Sequence, residues 1–222
     1  MDWGSIIESL FRGLIGESFI VFALAAIGLN VHFGFTGLLN FGQAVFMAAG
    51  AYGLAMMVAT IGPAANRNFG WNLSESTLFW LGIFVGVIVF PVIFALIMGI
   101  PTLRLRADYL AIVTIAVAEI FRIVVRSPTP GIKKWTNSSD GLTGFSGTFY
   151  DMSPFGTQDR YLFNLFTGNQ MFLVIVGWVV LAIAATVCWL LIRSPWGRVL
   201  KAIREDEDAA RSLGKNAYSY KM

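Results

Sequence analysis

Two ionisable side chains, Glu119 and Arg122, stand three residues apart inside an otherwise apolar stretch from about Asp108 to Val125. Charged groups are costly in lipid and mark ion paths, proton relays or internally paired charges. A spacing of three puts both on one helix face, where they can pair. Arg122 also stands near enough to the end of the stretch to reach the interface. Structural pairing and a proton relay are both open on these residues. His32 lies at the edge of an apolar run with no Cys, Asp or Glu near it in sequence, so a metal role is not expected. Cys188 is the single cysteine, which excludes an intrachain disulfide and a cysteine-based metal cluster. No Gly-rich phosphate loop followed by Lys and Ser or Thr occurs. No catalytic residue, metal or cofactor is expected, and any ATP hydrolysis belongs to another chain.

Two further stretches carry pattern. The first is a Gly-rich polar break around residues 34–43, with Asn30, Gly37, Asn40, Gly42 and Gln43 as its polar and small residues. Irregular backbone at membrane depth is tolerated only where protein buries it or a cavity receives it. The break is therefore either a lining of a substrate path or a turn with polar contacts between helices. The second stretch follows the apolar run 161–192. Ser194 suits a helix N-cap and Pro195 the first helical position. Gly214 suits a C-terminal stop. Leu200, Ile203, Ala210 and Leu213 fall near one face, and Lys201 with Glu205 and Arg204 with Asp208 stand at pairing distance. A charged helix thus succeeds a membrane helix directly. It is either held by headgroups or gripped by a cytoplasmic protein. The four acids Glu205 to Asp208 would be repelled by an anionic leaflet and suit a basic socket.

The elements that must position these residues are membrane helices. Of 222 residues 56% are hydrophobic and only 13% charged, against about a quarter charged in soluble domains. Mean hydropathy is +0.69. Apart from His32, no charge occurs between Ser18 and Asn66 or between Ser76 and Leu103, runs longer than the roughly 18 residues that mark a spanning helix. The fold class is all-α: a polytopic transmembrane helix bundle of about five segments. They are placed at about 18–32, 43–61, 77–100, 108–125 and 170–192. Residues 1–17 read as an amphipathic lead-in, with too poor a basic region for a cleaved signal. Gly62-Pro63 is expected to end the second segment, Pro91 to kink the third and Pro101 to stop it. Residues 126–168 form a long loop, a length more often functional than idle.

Net charge is +3, and seven of the sixteen Lys and Arg residues follow Ile192, which places the tail in the cytoplasm. The 126–168 loop then lies outside, and Arg104 and Arg106 inside. The domains are 1–192, the membrane bundle with that external loop, and 193–222, the cytoplasmic helix and tail. The positive balance follows from topology and gives no sign of nucleic acid.

The segment 193–210, RSPWGRVLKAIREDEDAA, resembles the cytoplasmic coupling segment of branched-chain amino acid ABC transporter permeases of the LivM type. Gly37–Phe46 with Gly50-Ala51-Tyr52, Leu103–Thr114 and Ser139–Gly144 are similar to the same family in the same order. The resemblance covers about residue 20 to the end. It implies a permease subunit of an ABC importer moving branched-chain or related amino acids across the plasma membrane (the bacterial inner or cell membrane) by ATP-driven alternating access. It implies cytoplasmic ATPase subunits, a second permease subunit and an external substrate-binding protein as partners. It assigns ATPase coupling to Ser194, Pro195, Gly197, Arg198, Ala202, Arg204, Glu205, Asp206, Ala209, Leu213 and Gly214. It also brings the substrate-path reading of Asn30, Gly37, Asn40, Gly42 and Gln43 level with that of a turn with polar contacts. Family members continue with further membrane helices, so the chain ending at Met222 is expected to be an incomplete permease domain. The rival readings are an ion-gradient-driven secondary transporter, with Glu119 as its acid, and a non-transporting membrane scaffold.

Overall fold

The computed structural model describes residues 3–102, 107–157, 159–162 and 165–221. Arg104 and Arg106, expected at a cytoplasmic connection, lie outside the described residues. The described elements are helices except for one two-residue hairpin ladder, Arg160↔Thr167 and Tyr161↔Phe166. The chain divides into two compact units, Met1–Gly37 with Tyr150–Lys221, and Leu38–Phe149.

In the first unit, α1 (Trp3–Ile15) leads into α2 (Glu17–Phe35). The hairpin strands β1 (Arg160–Tyr161) and β2 (Phe166–Thr167) then precede α8 (Gly168–Arg193). A capping box starts α8: Gln170 Oε1 accepts from the Thr167 N–H at 3.1 Å while Thr167 accepts in return. Ile20, Val174 and Leu181 of α2 and α8 are buried with Leu165 and Phe166. A Cβ at Gly177 would fall 2.9 Å from Ile20, so glycine there sets the approach of the two helices. The Trp178 indole donates to the Ile15 carbonyl at 3.0 Å and stacks on Phe19, which ties the end of α1 to α8. Three short helices end the unit: α9 (Pro195–Glu205), α10 (Glu207–Ser212) and α11 (Ala217–Lys221).

In the second unit, α3 (Gln43–Phe69), α4 (Glu75–Thr102) and α5 (Ala107–Val125) are followed by α6 (Pro130–Thr136) and α7 (Gly147–Asp151). α3 and α4 cross through glycine. A Cβ at Gly53 would stand 2.6 Å from the Gly86 backbone, so the two chains touch main chain to main chain. Phe94 meets Phe121 edge to face, joining α4 to α5.

Among the described residues α2, α3, α4 and α8 are long and apolar enough to cross a membrane. The remaining expected segment, α5, has 19 residues, about 28 Å at 1.5 Å per residue. Its length suffices, and Asp108, Glu119 and Arg122 keep its apolarity below that of the others. Three expectations are corrected. Gly62-Pro63 does not end its helix: α3 runs on to Phe69 and closes at Gly70, whose φ of +66° is the left-handed cap. The reason is a widened, π-helical turn at Met57–Ile61, after which the Gly62 N–H bonds to the Met57 carbonyl, five residues back. Such a turn relieves the proline ring of its clash with the preceding turn and of its missing N–H. Gly82–Val89 does the same before Pro91, with Phe90 N–H on the Val85 carbonyl. Pro101 likewise does not stop α4, which includes it and reaches Thr102. The 126–168 stretch, expected as a loop, contains α6, α7 and the hairpin.

Candidate functional site

The tail begins without a linker. Ser194 alone separates α8 from α9, in extended conformation (φ −70°, ψ 167°), and its Oγ accepts from the Gly197 N–H at 3.4 Å. Gly197 is buried against the last turn of α8: a Cβ there would stand 2.7 Å from the Ile192 Cα and closer still to its carbonyl. The corner between the two helices therefore requires glycine at 197. Arg193 lies over the Trp189 ring, 4.0 Å from its centroid, at the end of α8.

Leu200 and Ile203 are buried at 1% and 2% exposure, and Ile203 packs with Ala210 and Ala217 of α10 and α11. The expected single helix reaching to Gly214 is corrected. Asp206 takes extended conformation (φ −153°, ψ 105°) and its carboxylate accepts from the Ala209 N–H at 2.9 Å, which starts α10. The acid run thus has a local cause: one carboxylate caps α10, and Glu207 and Asp208 sit at its positive end. The restart also turns Leu213 outward, to 81% exposure, instead of onto the buried face. The expected pairs change as well. Arg204 pairs with Glu205, and Arg211 with Glu207, in place of Lys201–Glu205 and Arg204–Asp208.

Arg204 makes the long-range contact of the tail. Its Nη1 donates to the Gly34 carbonyl in the last turn of α2, a residue 170 positions away in sequence. The Lys201 ammonium stands 5.3 Å from the Phe35 ring centroid. The final carbonyls of a helix lack partners within it and carry its negative end. Arg204 therefore meets an acceptor at the end of α2, and Lys201 stands over the Phe35 ring at the same end. Gly37, with φ of +71°, packs on the Arg204 stem, since a Cβ there would fall 2.8 Å from its Cγ. Pro195, Arg198, Ala202, Glu205, Asp206, Ala209, Leu213 and Gly214 are exposed, and Ser194 and Gly197 are not. The coupling set thus divides into a structural corner and a free surface. No spacing signal connects Arg204 to residue 34. The contact is visible only once α9 folds back.

The substrate-path residues divide between the units. Asn30 and Gly37 belong to the first, where Asn30 lies in the widened last turn of α2 and is exposed. Asn40, Gly42 and Gln43 belong to the second. There the Gly42 N–H donates to Asn40 Oδ1 at 2.8 Å, and the Phe41 N–H to Thr114 Oγ1 at 3.2 Å. Thr114 is 1% exposed and donates in turn to the Ala111 carbonyl at 2.9 Å. A Cβ at Gly42 would meet Met98 at 3.1 Å and Thr114 at 3.4 Å. The break is thus tied to α5 by a part-buried polar bond and packs closely on Met98 of α4. Thr114 was not singled out from sequence, although a lone hydroxyl within the apolar face of α5 was its signal.

Also within the second unit, a cleft of about 550 Å³ opens between α3 and α5. Phe41, Val45 and Ala48 form part of its apolar wall, and Tyr52, Glu119, Arg122 and Arg126 its polar part. Arg122 grips Glu119 through two bonds, Nε to Oε2 at 2.9 Å and Nη2 to Oε1.

Apolar helices long enough to span lipid, packed through glycine and prolonged by a capped polar helix, define a multi-pass membrane protein. The family model described as the permease component of branched-chain amino acid transport systems matches residues 13–222, and the chain belongs to that family. It is 31% identical over 215 residues to the high-affinity branched-chain amino acid transport system permease protein LivM of Salmonella typhimurium, covering 91% of this chain and 46% of that one. The Escherichia coli K12 protein of the same name gives the same identity and coverage. The probable branched-chain amino acid transport permease protein LivM of Methanocaldococcus jannaschii is 24% identical over 219 residues, 89% of this chain and 58% of that one. The chain spans about half the length of the curated relatives it matches. No solved structure matches it. It is a multi-pass protein of the plasma membrane.

Proposed function

We propose that the chain forms part of the membrane pathway of an ABC importer for branched-chain or related amino acids, and that its tail is the element an ATPase moves. The bundle faces one side and then the other as two cytoplasmic ATPases close and open. A second permease subunit completes the path, and an external binding protein delivers substrate. The 126–168 stretch lies outside and residues 193–222 in the cytoplasm. The named relatives support the substrate class, and the positive tail supports the orientation.

The observation that carries the coupling role is the corner at Ser194 and Gly197. A lever must transmit displacement without absorbing it, and small motions are passed on when packed elements move as rigid bodies. Here one capped residue joins the two helices, and the glycine seats α9 directly on α8. Force on the exposed face at Ala202, Glu205 and Ala209 would pass to α8 through this corner and to α2 through Arg204.

The test uses the complete permease assembled with its ATPases and binding protein in proteoliposomes. Gly197→Pro, and separately reversal of the charges Glu205 to Asp208, are expected to abolish ATP-driven leucine uptake while membrane insertion stays intact. Unchanged uptake in both variants would sink the coupling role. Uptake that persists without ATP and collapses with an ionophore would replace the importer by a secondary transporter.

A further inference from the structure

We infer that the cleft between α3 and α5 is a subsite that takes the zwitterionic end of a free amino acid part-way along the pathway. The inference rests on the importer reading and adds to it which residues meet the substrate.

The register of the two helices comes first. The Phe41–Thr114 bond sets them side by side at one level, and both rise from there at about 1.5 Å per residue. Tyr52 and Arg126 thus lie at similar height, some 15 to 18 Å along, on the side of the 126–168 stretch. By the same count Glu119 stands about 7 Å along, level with Val45 and Ala48 at about 6 and 10 Å, while Arg122 and Arg126 line the cleft farther along. A volume of about 550 Å³ falls within the range of small-molecule sites.

The charges have unequal tasks. Glu119 is held by two bonds from Arg122, which fixes the carboxylate and still leaves it lone pairs to accept an ammonium. The Arg126 side chain also lines the cleft; among the described residues it takes part in no salt bridge or side-chain hydrogen bond, and its charge acts on Glu119 through space. A guanidinium in that condition is suited to a carboxylate, which it can meet through two parallel N–H bonds. One fixed anion, a second guanidinium beside the one that holds it, and an adjoining apolar wall are complementary to an α-amino acid with an aliphatic side chain. Its carboxylate lies on Arg126, its ammonium on Glu119 and its side chain against Ala44, Ala48 and Ile115, since Val45 is buried at 1% exposure. A proton relay would need Glu119 released from Arg122 and a second acid beside it, and no other acid lines the cleft.

The test is substrate protection in the complete permease–ATPase complex in nanodiscs, with Cys188→Ala and Ala48→Cys. Saturating leucine is expected to slow maleimide labelling at position 48 by about tenfold, as mass action at an occupied site requires. Isoamylamine, which lacks the carboxylate, and isovalerate, which lacks the ammonium, are expected to protect far less. Arg126→Gln is expected to remove the protection by leucine, and Arg126→Lys to retain part of it. That partial rescue distinguishes recognition from a folding defect. Equal protection by leucine and isoamylamine, or none by leucine in a complex that imports it, would overturn the subsite and leave the importer standing. Carboxylate-dependent protection in a complex that shows no ATP-driven uptake would keep the subsite and overturn the importer.

Discussion

Arg204 is the residue at which the tail meets the rest of its unit. One guanidinium serves both the Gly34 carbonyl and Glu205, so its loss would remove a link to α2 and leave the corner at Gly197 untouched. Arg204→Ala in the complete transporter is expected to leave assembly intact and lower leucine-stimulated ATP hydrolysis several-fold. Arg204→Lys should restore part of it, because a point charge still meets the helix end but cannot serve two acceptors in one plane. Equal stimulation in all three proteins would refute the link. Thr114 tests the anchoring of the polar break. Thr114→Val keeps the shape and removes the part-buried bond to the Phe41 N–H, a loss of about 1 kcal/mol, to be read as a lower melting temperature in detergent. The hydroxyl and its importance were legible in sequence only as a polar residue within an apolar helix. Its partner, 73 positions earlier, was not.

For the elements, the lesson lies in proline and glycine. Pro63 and Pro101 were expected to end helices, yet α3 runs on to Phe69 and α4 includes Pro101 and reaches Thr102; Pro91, expected to bend α4, lies within it. Local rules count the missing N–H and the ring clash. They do not count a widened turn placed just before Pro63 or Pro91, which neighbouring helices can hold. Glycine works in the opposite sense: Gly53 and Gly86 are ordinary small residues in sequence and become the closest approach of α3 to α4. Gly53→Val is therefore expected to lose at least about 1–3 kcal/mol, seen as reduced yield of folded permease, whereas Gly13→Ala, with nothing near its Cβ, should be silent. The tail shows the same limit. Ser194, Pro195 and Gly214 were readable as cap, start and stop, but Asp206 divided the expected helix, because a second N-cap inside a charged run competes with continuing the first.

For the whole molecule, the two units have different tasks in the proposed cycle: one carries α8 with the tail, the other the cleft. Deleting residues 194–222 from the complete transporter's corresponding tail segment is expected to preserve insertion and abolish co-purification of the ATPases. Retained ATPase binding would move the coupling surface elsewhere. What the sequence by itself determined was the solvent of each segment. Uncharged runs longer than a bilayer is thick must be helices in lipid, since no water is there to satisfy the backbone, and the excess of Lys and Arg after Ile192 supports the proposed orientation. These are sums over neighbouring residues and need no knowledge of contacts. Tertiary structure alone decided that Arg204 reaches Gly34, that Thr114 receives Phe41, and that Glu119, Arg122 and Arg126 share a cleft with Val45 and Ala48. Each of these joins residues that are remote along the chain, and only the packing of particular helices in particular registers makes them neighbours.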